Sequence, residues 1–173
     1  MKKIIVFNMV TIDGYFAGVD GNINWHNVDA EFNEFAAKQT ADFGTLIFGR
    51  VTYDLMAGYW PLEKVVKNDP IVAGIMNSTD KIVFSRKLDK ADWNNTRLMK
   101  SINPDEINKL KESAKKDIAI FGSGQIVQEF TKLGLVDEYR LMINPVVLGA
   151  GKTLFAGVDM FKLKLMKTRE LYQ

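Results

Sequence analysis

Cysteine is absent from the chain of 173 residues, and histidine occurs once, at His26. Disulfides, thiol nucleophiles, thiolate zinc sites and histidine metal clusters are excluded together. Chemistry therefore falls to carboxylates, hydroxyls, amides or a bound cofactor, and no metal is expected. Neither sign of charge is in excess: the net charge is +2 and the isoelectric point about 8.7. That balance gives no chain-wide attraction to nucleic acid or to a membrane surface. No apolar run approaches the roughly 18 residues of a membrane span. Repeats and low-complexity linkers are also missing. A single domain over residues 1–173 is expected, and the hydrophobic content of 47% is enough for a sizeable core. Met1-Lys2-Lys3 before Ile4-Ile5-Val6-Phe7 has the outline of a secretory leader, but Asn8 interrupts the apolar run and Asp13 soon follows. It reads as the first strand of a cytoplasmic protein.

What is present is a strand running straight into glycines, twice. Ile118-Ala119-Ile120-Phe121 fits a buried strand, and Gly122-Ser123-Gly124-Gln125 fits a tight turn. Val127, Phe130 and Leu133 then recur at helical spacing, so the first amides of a new helix point at whatever anion sits in the turn. A full dinucleotide fingerprint has a third glycine where Val127 stands and an acid near Asn144, so the ordinary Rossmann pattern is not met. The other instance is Thr45-Leu46-Ile47-Phe48, then Gly49-Arg50 and a helix over Val51 to Met56 with Thr52 in its first turn. A guanidinium and a hydroxyl at a helix start suit a phosphate. A third strand, Lys81 to Phe84, ends in Ser85-Arg86-Lys87 and again sets a hydroxyl and positive charge at a carboxyl end.

Further strands are expected at Lys3 to Met9, near Arg97 to Met99, at Glu138 to Asn144, and within Phe161 to Leu171. Asn103, Pro104 and Glu106 mark a helix start, with Ile107 and Leu110 facing inward. Another helix is expected from Asp29 to Phe43, burying Phe32, Phe35 and Ala36. This alternation predicts an α/β fold with a mostly parallel central sheet and helices on both faces. No convincing helix separates the strands after Glu138, so these late strands are expected to run antiparallel to their neighbours and make the sheet mixed.

Thr11-Ile12-Asp13-Gly14, Gly122-Ser123-Gly124, Leu133-Gly134-Leu135-Val136-Asp137-Glu138 and Pro145-Val146-Val147-Leu148-Gly149-Ala150-Gly151 resemble the dihydrofolate reductase-like superfamily. They are more similar to the carboxyl-terminal reductase domain of the bifunctional riboflavin-biosynthesis deaminase/reductase. Gly21-Asn22-Ile23-Asn24-Trp25 and Gly49-Arg50-Val51-Thr52-Tyr53 look more like the dihydrofolate reductase side. The resemblance implies a three-layer α/β/α sandwich and NADPH-dependent hydride transfer to 5-amino-6-(5-phosphoribosylamino)uracil, by a homodimer acting on a small molecule. Gly49, Arg50 and Thr52 would hold phosphates, Ser85 and Arg86 would favour the adenosine 2'-phosphate, and Gly122, Ser123, Gly124 and Gln125 would wrap the pyrophosphate. The alternatives are a reductase of folate or pterin substrates and a non-catalytic dimeric NADP-binding module.

Asp13 is either an Asp-Gly turn residue or a cleft carboxylate that delivers a proton if its pKa is raised. Asp29 and Glu31 are catalytic candidates that equally suit a helix cap and helix-dipole decoration. Trp25 offers a flat face and one donor to a heteroaromatic substrate, or is core. Lys152, directly after Gly151, reaches a substrate phosphate or is an exposed loop residue. His26 is expected to face solvent.

Overall fold

The computed structural model describes residues 1–171. Its elements in chain order are β1 (Ile4–Thr11), β2 (Tyr15–Ala17), α1 (Ala30–Ala41), β3 (Phe43–Gly49), α2 (Arg50–Ala57), α3 (Glu63–Asn68), α4 (Pro70–Ser78), β4 (Asp80–Phe84), β5 (Thr96–Met99), α5 (Pro104–Ser113), β6 (Asp117–Phe121), α6 (Gly124–Lys132), β7 (Glu138–Asn144) and β8 (Lys152–Thr153). The main sheet has the order β5-β4-β3-β6-β1-β7. Every pairing in it is parallel.

Alternate residues of β1 explain the three layers. Ile4, Val6 and Val10 face one core with Val127 and Phe130 of α6 and Ile107 of α5. Ile5 and Phe7 face the other with Tyr53 of α2, Met76 of α4 and, at its margin, Phe35 of α1. A strand buried on both faces needs a continuous apolar run, and β1 supplies one broken only by Asn8 and Thr11.

Two expectations about the late strands are corrected. Glu138–Asn144 runs parallel to β1, with Ile5 opposite Glu138 and Thr11 opposite Asn144. The segment that sets its direction is α6, which precedes it and carries the chain back to the amino edge of the sheet. The antiparallel pairing is found instead in the small flap of β2 with β8. The strand expected within Phe161 to Leu171 does not form: those residues lie outside the sheets, and Leu163, Leu165 and Met166 are exposed. The α1 helix also stops before Phe43, which begins β3.

Local chemistry fixes the helix starts. Asp29, Asp69 and Asn103 each accept a backbone N–H in the first turn of α1, α4 and α5. Asn103→Ala is expected to lower stability by about 1 kcal/mol; a urea midpoint unchanged from wild type would contradict that role. At the other end of α4, Lys81 is buried and its Nζ donates to the carbonyls of Met76, Asn77 and Thr79 at 2.9, 3.4 and 2.6 Å. The same ammonium sits 4.5 Å from the centroid of the Trp93 ring. A cation thus closes the negative end of the helix from inside the core.

Candidate functional site

Adjacent strands β3 and β6 send their helices to opposite faces of the sheet, α2 to the phenylalanine-rich side and α6 to the other. A crevice opens at the carboxyl edge wherever neighbouring connections diverge in this way. Both helices begin there without a side-chain cap, at Gly49 and at Ser123. By contrast α1, α4 and α5 all carry one, and the six-residue α3 also starts uncapped, at Leu62. Two sets of first-turn N–H groups, each at the positive end of a helix, are therefore left for an anion in the crevice.

Short bonds knit the two helix starts together. The Gly49 N–H donates to Ser123 Oγ at 2.7 Å, and that hydroxyl donates to Thr52 Oγ1 at 2.8 Å. Thr52 keeps its own hydroxyl proton as a donor. The Gly122 N–H donates to Asn8 Oδ1 at 2.7 Å. Gly122 has φ +56°, and a Cβ there would stand 2.9 Å from Thr52 Oγ1. Both conformation and contact demand glycine. Ser123 has φ +61°, which bends the chain out of β6 into α6. Gly124 is buried under the Phe16 ring of the flap, and Gln125 is exposed.

One cationic exit, Arg50, opens α2 itself, and the other, Ser85-Arg86, follows the neighbouring strand β4. Arg50 pairs with Asp54 at 2.8 Å, a half-exposed i,i+4 contact that is weak enough to yield to a stronger anion. Ser85 is buried and accepts the N–H groups of Lys87 and Leu88, so it shapes the turn that presents exposed Arg86. A groove of about 710 Å³ runs from the later turns of α2 to Trp93 and holds none of the residues expected from sequence.

On the far side of the glycine turn, Asp13 is a latch between loops. Its carboxylate accepts the Thr11 hydroxyl at 2.6 Å and the N–H groups of Leu148 and Gly149 at 3.2 and 2.8 Å. The Thr11 hydroxyl above all, with those two amides, holds Asp13 below its ordinary pKa. That direction is the reverse of the raised pKa that proton delivery calls for. Asp29 is engaged as the α1 cap, and Glu31 lies 3.8 Å from the Arg169 guanidinium.

The Asn27 N–H donates to Asn144 Oδ1 and pins the preceding loop over the end of β7. Trp25 meets His26 edge to face, with centroids 4.5 Å apart. Trp25 Nε1 and His26 Nε2 are buried without a protein partner. His26 is therefore half-buried rather than solvent-facing, and burial lowers its pKa so that the neutral imidazole dominates at pH 7. Lys152 is exposed on β8, and its Nζ would lie 3.2 Å from a Cβ at Gly21. The residue sequence reasoning missed is Asn8, whose only signal was a polar side chain inside an apolar strand.

A mostly parallel sheet of this kind, with diverging uncapped helices at its carboxyl edge, is a dihydrofolate reductase-like α/β fold. Enterococcus faecalis dihydrofolate reductase, solved with NADP(H) and RAB-propyl, matches 91% of this chain and 79% of its own length with TM-score 0.60 and 18% identity. A diaminohydroxyphosphoribosylaminopyrimidine deaminase/5-amino-6-(5-phosphoribosylamino)uracil reductase from Thermotoga maritima matches 92% of this chain and 49% of its own, with TM-score 0.63 and 15% identity. At such identities the two share the fold. The chain belongs to the RibD C-terminal domain family, which matches residues 2–173. Uncharacterized protein YyaP of Bacillus subtilis (strain 168) is 35% identical over 171 residues, covering 97% of this chain and 88% of that protein.

Proposed function

We propose that this protein is an NADPH-dependent reductase whose substrate is 5-amino-6-(5-phosphoribosylamino)uracil. The observation that carries the reading is the pair of uncapped helix starts facing one crevice, with Arg50 at one of them and Arg86 at the end of the adjoining strand β4. Two helix N-termini suit the two phosphates of a dinucleotide, and an exposed arginine beside them suits a third. A reduced nicotinamide supplies the hydride when bound. The chain's own part is to hold the dinucleotide along the carboxyl edge, to place the substrate by the Trp25-His26 loop, and to exclude water with the β2 and β8 flap. Trp25 Nε1, a donor without a partner, suits a carbonyl oxygen or ring nitrogen of a uracil. Lys152 at the flap, close to Gly21, suits the substrate phosphate.

Folate is the less supported substrate, because Asp29, one of the two carboxylates that follow the tryptophan, caps α1. A homodimer joins the proposal through the exposed Phe161, Leu163 and Leu165, the first of which lies 6.0 Å from the Tyr139 ring of the edge strand β7; sedimentation as a monomer at micromolar concentration would remove it.

NADPH at 100 times its dissociation constant is expected to stabilise the fold by about 2.7 kcal/mol, read as a raised melting transition. NADH is expected to do much less, and Arg86→Ala to narrow the gap between the two. An unchanged NADPH preference in that variant would reject the role of Arg86. Loss of NADPH absorbance with the aminouracil and with dihydrofolate, followed in parallel, tests the substrate; oxidation with neither, despite tight binding, would favour a non-catalytic NADP-binding module.

A further inference from the structure

Asn8 is the one amide side chain inside β1, an interior strand of the sheet between β6 and β7. It is 4% exposed, and its neighbours on the same face of β1, Val6 and Val10, belong to the apolar core with α6. A leucine or valine would fill such a place at lower cost, since a buried amide needs its bonds made. Half of the amide is accounted for. The Gly122 N–H is a donor only, so the atom 2.7 Å from it must be the acceptor Oδ1. The other end is then Nδ2, with two protons, buried and without a protein partner.

The position of that orphan donor is informative. Gly122 opens the turn between β6 and α6, so the amide that holds it lies beneath the turn, at the crevice where the two uncapped helices begin. Its orientation is not free, because flipping it would set Nδ2 against the Gly122 N–H.

We infer that Asn8 is a binding residue for the dinucleotide, its Nδ2 donating to an oxygen of the bound molecule while Oδ1 fixes the glycine turn. The inference rests on the NADPH reading above and adds a contact from the sheet itself. The acceptor is either a diphosphate oxygen or the carbonyl oxygen of the nicotinamide carboxamide. Both are hydrogen-bond acceptors of the same ligand, and a shortened ligand separates them.

Asn8→Asp is the discriminating variant. It keeps an oxygen for the Gly122 N–H and replaces the orphan donor with a carboxylate oxygen. A purely structural Asn8 tolerates this change in binding assays. A ligand-facing one sets like charges or two acceptors against each other, so the NADPH dissociation constant, measured calorimetrically at pH 8, is expected to rise about 100-fold. With 2'-phospho-ADP-ribose, which lacks the nicotinamide, an equal loss assigns the bond to the diphosphate, and no loss assigns it to the carboxamide. Wild-type affinity for both ligands in a folded Asn8→Asp would overturn the inference while leaving the cofactor reading intact. Failure of the wild-type protein to bind NADPH would overturn the cofactor reading itself.

Should Asn8→Asp not fold, the wild-type protein selectively labelled with 15N-asparagine gives a second readout. The Asn8 side-chain NH2 resonance is expected to shift and its protons to exchange more slowly when NADPH saturates the protein. A resonance unmoved at saturation would sink the proposal.

Discussion

NADPH affinity is expected to fall by at least about 100-fold in Gly122→Ala, with the fold retained. Two effects combine at this position. An alanine at φ +56° bears roughly 1–2 kcal/mol of backbone strain. Its Cβ also meets Thr52 Oγ1 at 2.9 Å and Thr52 Cγ2 at 3.1 Å. Thr52 is tied through Ser123 to the Gly49 N–H, so displacing it moves both helix starts out of register with the two phosphates of the proposed dinucleotide. Gly134→Ala is the control, because Gly134 has φ +66° and nothing within 4 Å of an added Cβ. It shares the strain and lacks the collision, so it is expected to lose about 1 kcal/mol of stability and to bind NADPH as the wild type does. Calorimetric titration of both variants gives the answer. Equal affinities in Gly122→Ala and wild type would place the anion seat elsewhere.

Stability is expected to drop by about 3–5 kcal/mol in Lys81→Ala. The variant removes the cation that three carbonyls share and opens a cavity beside Trp93, whose indole Nε1 is held by Asn77 at 2.8 Å. The pH dependence adds a second signature. Burial pushes Lys81 down to about 8 from its ordinary 10.5, with nearby Asp80 opposing. Between those values the unfolded chain holds the proton and the folded chain has begun to release it. The unfolded state therefore binds more protons, and stability from this group rises with pH across the window, by up to about 3 kcal/mol. Below pH 8 both states are charged and the contribution is flat. Urea titrations of wild type and Lys81→Ala from pH 7 to 10 are expected to show a gap that widens with pH. A gap of constant size would mean that Lys81 keeps its ordinary pKa and that the carbonyl cluster holds the full charge.

The parts of the fold that could be read in advance are those written in local chemistry. Apolar runs marked β1, β3, β4 and β6, and Asn103-Pro104 marked the start of α5 to the residue. Asp69-Pro70 carries the same signature for α4, with Ala73 and Met76 as its buried stripe. The direction of β7 is not legible in the loop that follows it, because direction is a property of the crossover before a strand, here α6. At the site, the glycines and the hydroxyls of Thr52 and Ser123 were legible because close approach and helix starts restrict residue type. Asp13 was not. Its partners Leu148 and Gly149 are 135 and 136 positions away, and only the folded chain decides whether a carboxylate there is a latch or an acid. Asn8 stood in plain view as an interruption of an apolar run; that interruption carried no address until Gly122 was found beside it.

The strand β1 lies between β6 and β7, which are made more than a hundred residues after it. Ile4 must wait for Ile118, and Ile5 for Glu138, before its backbone groups find partners. At about 5–20 residues per second, a ribosome holds Ile4-Ile5-Val6-Phe7 without a mate for on the order of ten seconds. Such a segment, rich in β-branched and aromatic side chains and free of charge, is where nascent copies of this chain would first stick to one another. Asn8 ends that stretch, so the amide assigned here to a ligand also cuts short the region a chaperone must shield.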